Sequence, residues 1–563
     1  MLKNKNLASL TLILLITAFA LGVWHLHTPA PAGSPLPLPQ IPPKAKITLL
    51  PLDGRPPCRQ FVINGGRIAG LEVSVPPGEL QDYYSLPGNT QGMKDWLMND
   101  LSDSSAALIS IDQLLHGGLL AAREKNASHA EVDSLTAYLR NLHEKYPAVP
   151  LYAFSILPRL TPQDSIDGYQ ERKDLIAYSR LAGRKAAGLA VDENELRRLE
   201  EAIPPQSLSA YLAHFKENEY LNQKLIDLTR EGILTKLVLG QDDGEAYSIP
   251  NIEKSALLGY IAASGLDSSR VFLTHGADEI ALTLLAGIEN QRTGFAPKVC
   301  LDCNTPETLQ KIMPYMAVDM ETTAREKIAL LGGEETNNPE EADFILFMSA
   351  IDNKEDTLKS RAKSTARLNK YQLAGKQLAI VDLSQHFTGS ECLFPQLLEE
   401  DFPVSSLAAY SGWNTASNSI GTASSQASLY LAALSACEDK DEAVQTAYAQ
   451  SAFLQGRIME DYYYLKQDID EVNNSLKKAG YTNTADLDLE HNYRWATAML
   501  QKSLNGHLSA YQNTRAARTP YQVAWQKGEL TLALHHLKID ASFPWPRTFE
   551  VNLLAYPELH QIP

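Results

Sequence analysis

The sequence predicts an α/β protein: two Rossmann-like, doubly wound and mainly parallel domains, then a helical C-terminal region. Three observations carry this expectation. Short apolar runs alternate with helical segments over most of the chain. Several of those runs stop at a glycine or an acid, as buried strands do on entering a loop. The 563 residues also exceed what one hydrophobic core can cover. A (β/α)8-like barrel is the alternative for the first half, although only about six strands precede the weak boundary at Gly294–Pro297.

The composition is that of a globular protein, 44% hydrophobic and 21% charged. A net charge of −17 and a pI near 5.3 exclude nucleic acid as a partner, since phosphate needs a basic face. Five cysteines make no disulfide framework. Residues 1–27 differ in kind: Lys3 and Lys5 precede an apolar run from Leu7 to Trp24, the pattern of a signal peptide or signal anchor. Ala18-Phe19-Ala20 offers a cleavage site, yet the run continues past it, near the lower length limit for a membrane span. Residues 28–45 form a Pro/Ala-rich linker. The expected location is therefore outside the cytoplasmic membrane, secreted or held to it by the N-terminal segment.

The first domain is expected over 46–297. Its opening strand, from Ile47, runs into Asp53 and Arg55. Leu71–Val75 ends at prolines. Ala106–Ile111 leads to Asp112, His116 and Arg123, and Val149–Ile156 to Arg159. Residues 165–232 are helical and too long for an ordinary connection, so they read as an insertion. Leu237–Leu239 stops at Gly240, with Asp242 and Asp243 beyond; Val271–His275 is followed by Asp278 and Glu279. The second domain, 298–435, has strands expected at 298–301, 344–348, 377–381 and 406–410. From 436 to 563 two long helices, 440–475 and 488–518, precede a final strand.

Six stretches together resemble one bacterial family, the domain of unknown function 4127. They are Pro51-Leu-Asp-Gly-Arg-Pro56, Ser110–Leu119 with Arg123, Gly240-Gln-Asp-Asp243, Gly276-Ala-Asp-Glu279, Tyr410-Ser-Gly-Trp-Asn-Thr415 and Trp545-Pro-Arg-Thr-Phe-Glu550. They span nearly all of the folded chain. Two positions depart from the family pattern: Gly54, where a second acid or polar residue is expected, and Ser417, where glycine is expected. The resemblance implies no activity, so chemistry rests on the residues.

In open α/β sheets ligands bind beyond the carboxyl ends of the strands, where these acids fall. Asp242 and Asp243, with Asp112, are the candidate catalytic carboxylates. Two such groups suit glycoside hydrolysis, one protonating the leaving oxygen while another stabilises or attacks. The competing reading of Asp242–Asp243 is a helix N-cap and a first-turn acid. Asp53, Arg55, His116, Arg123, Arg159, His275, Asp278 and Glu279 are candidate substrate contacts. Arginine forks suit a carboxylate, a phosphate or an internal acid. Tyr410–Gly421 reads as a strand, a glycine turn and a helix opening, with Trp413 to stack on a sugar and Asn414 and Asn418 to bond its hydroxyls. Cys300-Leu-Asp-Cys303 lacks the partners of a zinc site.

The expectation is an extracytoplasmic, glycosidase-like hydrolase acting on cell-wall or environmental saccharide without a cofactor. Two alternatives stay open. One is a metal-dependent hydrolase holding a divalent ion on Asp53, Asp112, His116, Asp242 and His275. The other is a non-enzymatic saccharide- or peptide-binding protein that closes two lobes on its ligand.

Overall fold

A computed structural model describes residues 33–166, 168–267, 269–351, 357–386, 388–412 and 415–563. The apolar segment at 1–27 lies outside the described residues. Within them, no helix is long and apolar enough to cross a membrane.

A short strand β1 (Ser34–Pro35) precedes a six-stranded sheet: β2 (Lys46–Leu50), β3 (Glu72–Ser74), β4 (Ala106–Ser110), β5 (Leu151–Leu157), β6 (Lys236–Gln241) and β7 (Val271–His275). Every pair is parallel, in the order β3-β2-β4-β5-β6-β7. Consecutive strand residues feed two separate cores, which is why these runs read as continuously apolar. Leu49, Leu108 and Phe154 face one; Leu50, Ile109 and Ala153 face the other. The sheet is open, with β3 and β7 at its edges, so it is not the barrel considered as the alternative.

The second sheet comprises β8 (Lys298–Cys303), β9 (Glu334–Glu335), β10 (Phe344–Ile351), β11 (Gln377–Ser384) and β12 (Ala409–Ser411), in the order β12-β11-β10-β8-β9 and again parallel. Both sheets are wound alike: the first strand is flanked by the second and third. Such an order reverses direction beside the first strand, and the crevice there is where doubly wound proteins bind ligands.

Between β5 and β6, helices Tyr169–Ala186, Glu193–Ala202 and Pro205–Arg230 fill the segment read as an insertion. Ile166, Leu175, Leu199, Tyr211 and Phe215 give it a small core of its own. The helix Ala416–Ala436 is the central pillar. Its run of Ala, Ser, Gly and Thr lets it pack against Gln60–Ala69, Ile280–Thr293 and Met320–Leu330, and against β11. Gly421 illustrates the tightness: a methyl group there would overlap the Glu279 side chain.

Beyond helix Lys440–Arg457 the chain continues as a π-helix, Ile458–Asp468, and then helix Ile469–Lys478. The C-terminal region, read as helical with one final strand, also carries an antiparallel meander: β13 (Tyr521–Trp525), β14 (Gly528–Ser542) and β15 (Asn552–Ile562). β1 adds to its edge through Ser34–Gln561 and Pro35–His560 pairing, so this piece of the Pro/Ala-rich stretch is docked.

Candidate functional site

Four loops at the carboxyl ends of β2, β4, β6 and β7 meet the start of the central helix and the segment Trp545–Glu550. They enclose a cavity of about 360 Å³. Its lining includes Arg55, Arg123, Asp242, Asp243, His275, Asp278 and Asn418, together with Gln241, Tyr315, Thr415, Ser417, Arg547 and Phe549.

Arg55 organises one wall. Its Nε and Nη2 donate to Asp53 Oδ2 at 2.9 and 2.6 Å, and Nη2 also donates to Asp278 Oδ1 at 2.6 Å. Glu550 lies 3.8 Å away. Asn418 Nδ2 donates to Asp278 Oδ2 at 3.3 Å, so the central helix grips the same carboxylate. Burial pushes the Asp278 carboxyl up to about 6 against the pull of Arg55, and the charges of Asp53 and Asp242 add to the rise. Asp53, Cys58 and Asp278 bring three ligand atoms close enough to hold a metal ion. The Arg55 guanidinium already bonds both carboxylates, so a cation is built into that place.

Arg123 organises the other wall. Its Nε donates to Asp242 Oδ2 at 2.9 Å and Nη2 donates to the same oxygen. Asp242 Oδ1 accepts the Asp243 backbone N–H at 2.9 Å. Burial works against the Asp242 charge, but Arg123 outweighs it and holds this carboxyl below its ordinary range. Asp243 has no such clamp. Burial pushes it up to about 7, and the neighbouring Asp242 charge pushes the same way. Neither acid caps a helix: the next one begins at Ile249 with Ser248 in the N-cap position, which removes the N-cap reading of this pair.

His275 lines the cavity with its ring fixed on both sides. Nδ1 lies 3.0 Å from Glu326 Oε1 and Nε2 lies 3.2 Å from Lys254 Nζ. Glu279 points elsewhere. It forms a fully buried ion pair with Lys327 at 2.5 Å, and Lys327 also donates to Thr274 Oγ1 and the His275 carbonyl. Glu279 is therefore a structural acid rather than a substrate contact; it ties the β7 loop to helix Met320–Leu330.

Asp112 and His116 sit on helix Ile111–His116 and line a neighbouring small void shared with Arg123 and Asp242. Asp112 Oδ2 accepts the Ile156 N–H at 3.0 Å, and burial pushes its carboxyl up to about 7. Burial, with His214 nearby, pushes His116 down to about 4. Asp112 thus backs Asp242 from behind instead of facing the large cavity. Arg159 lies near Asp242 and Asp243, whose charges it feels, but outside that lining. Trp413 and Asn414 lie outside the described residues. The five residues weighed as metal ligands do not converge as a set: Asp53 and Asp242 are taken by arginines and His275 by Glu326.

Sequence reasoning missed the contribution of Trp545–Glu550. Arg547 and Phe549 line the cavity, Arg547 is clamped by Glu550, and the Arg547 guanidinium lies 5.3 Å from the Trp545 ring centroid. The stretch was among those carrying the family resemblance, but its apolar residues read as a strand. Tyr315 was missed as well. It is 60% exposed at the cavity and held at φ +66, and its carbonyl accepts the Gly244 N–H beside Asp243. Strained non-glycine residues of this kind cluster at ligand sites.

Fold and cavity together define a doubly wound α/β protein with two like-ordered parallel sheets and a strand-end site of paired acids and arginines. The family model described as "Protein of unknown function (DUF4127)" matches residues 47–554, and the chain belongs to that family. Among curated proteins none matches the chain. Among solved structures, the carboxyl transferase domain from Rhizobium etli pyruvate carboxylase with 3-bromopyruvate aligns over 95% of this chain and 96% of that one. Its identity is 9% and its TM-score 0.12, too low to carry any argument.

Proposed function

We propose that the protein is an extracytoplasmic, glycosidase-like hydrolase that cleaves cell-wall or environmental saccharide in this cavity. The observation that carries the reading is the unequal setting of two neighbouring carboxyls in one cavity: Arg123 bonds Asp242, while burial and the Asp242 charge push Asp243 up to about 7. Titratable groups whose surroundings drive their pKa values apart mark acid and base roles. Asp243, protonated up to neutrality, is the donor to the leaving oxygen. The second carboxylate is Asp278 rather than Asp112, since Asp278 lines the same cavity and is oriented by Arg55 and Asn418. Asp242, fixed by Arg123, supplies negative charge against a cationic sugar transition state. Phe549 and Tyr315 offer ring faces to a sugar, and Thr415, Ser417 and Asn418 offer hydroxyl and amide groups. The location outside the cytoplasm is supported by the pattern of residues 1–27 alone.

The test is reducing-end release from a panel of chromogenic glycosides and peptidoglycan fragments. The wild type should turn over at least one member, and Asp243→Asn should lose that turnover with its fold intact. No turnover of any member, or full activity in the variant, contradicts the proposal.

A further inference from the structure

The C-terminal meander gathers imidazoles that the cavity does not use. Strand alternation alone would send His535 and His536 to opposite faces of β14. A bulge between Leu534 and His536 shifts the register against β15. The register before the bulge, Ala533 with His560 and Leu534 with Leu559, carries His535 beside Glu558 and His560, which lie two apart on β15 and so share a face. The His535 and His560 rings stack with centroids 3.9 Å apart and planes 2° from parallel.

Glu558 Oε1 lies 3.1 Å from His560 Nε2 and 3.5 Å from His535 Nδ1. Two donors bound at about 2.1 Å to one ion stand about 3.0 Å apart at a right angle and about 3.4 Å apart at a tetrahedral one. Glu558 thus already stands at such an edge length from each imidazole nitrogen, and the three ligand atoms all lie within 4.8 Å of one another. The stacked rings point their lone pairs along parallel planes, so the His535 ring would turn about its Cβ–Cγ bond to meet the same ion as His560. Hydrogen bonding does not account for all of this. His535 Nδ1 is buried yet has no hydrogen-bond partner among the described residues, despite its approach to Glu558. His560 is only 8% exposed, and its Nε2, the nitrogen facing Glu558, is the atom it would offer an ion. His535 and Glu558 are 35% and 48% exposed, which leaves a side open for an ion to enter and keep water.

We propose that His535, Glu558 and His560 form a binding site for a divalent transition cation of the zinc class. Two imidazoles and one carboxylate suit that class, whereas calcium and magnesium take oxygen ligands. The ion would fasten the β14 bulge to β15, the strand that also carries β1. The other convergent set among the described residues, Asp53, Cys58 and Asp278, already has Arg55 in its midst.

The experiment strips the full chain with a chelator and titrates it with zinc by calorimetry, alongside metal analysis after dialysis. His535→Gln and Glu558→Gln alter side chains that are at most half-exposed and lie at the sheet surface, so both variants should fold. The wild type should take up one zinc per chain at micromolar affinity or tighter. Each variant should bind at least about 10-fold more weakly. Zinc should raise the thermal midpoint of the wild type and leave both variants unmoved. A wild type that takes up no zinc, or variants that bind as it does, would overturn the proposal.

Discussion

Replacing Asp243 by Asn tests the electrostatics of the cavity without any substrate. The native carboxyl titrates at about 7, against about 3.9 in an unfolded chain. The folded state therefore keeps the proton when the unfolded state has lost it. Stability falls as pH rises through that window, from about 4 to about 7, and the loss is complete above it. The full displacement corresponds to a ceiling of about 4 kcal/mol. Asp243 is half-buried, so solvent screens part of this and about 1–2 kcal/mol is expected. Asn mimics the protonated acid in shape and never ionises. Wild type and variant should then unfold together near pH 4.5, with the variant pulling ahead by a few degrees at pH 8. Thermal unfolding followed by circular dichroism across that range reads the gap directly. A variant less stable than wild type at pH 8 would mean that Asp243 is a stabilising, ionised acid, and the proton-donor role would fall with it.

Other outcomes follow from the same contacts. The pH profile of kcat/KM should be bell-shaped, rising as the group near 6 ionises and falling as the one near 7 does. A profile flat between pH 5 and 8 would contradict it. Lys327→Met strands the Glu279 carboxylate in a site where both partners are at most 1% exposed, and should cost about 3–5 kcal/mol in denaturant unfolding. A neutral result would show that the pair does not hold the β7 loop. Phe549→Ala should raise KM by about 3- to 10-fold with kcat little changed, since it removes a ring face and no reacting group. An unchanged KM would take that ring out of the site.

Much of the wound fold was legible because parallel strands buried on both faces are apolar throughout and stop abruptly. Leu237–Leu239 ahead of Gly240, and Val271 ahead of His275, show this clearly. The strand-end rule then brought Arg55, Arg123, Asp242, Asp243, His275, Asp278 and Asn418 around one cavity from segments far apart in the chain. Direction within a loop was not legible. Asp278 and Glu279 are neighbours, yet one faces the cavity and the other Lys327, because Gly276 at φ +109 turns the loop between them and the strand. Asp112 failed for a related reason. Ser110 caps a short helix immediately after β4, which carries Asp112 behind Asp242. The meander was overlooked although Leu530, Leu532 and Leu534 alternate, since the preceding helices dominate the local composition. Arg547, Phe549 and Glu550 could be found only from the family resemblance, because nothing local tells a loop over a distant cavity from a strand end.

In the proposed reading, segments from both ends of the chain build one saccharide site between Asp243 and Asp278. A crystal structure of Asp243→Asn soaked with the saccharide that the wild type turns over would show whether they do. A sugar ring should lie against Phe549, with its glycosidic oxygen beside residue 243 and its anomeric carbon toward Asp278. Saccharide bound at any other surface, with this cavity left to water, would contradict it.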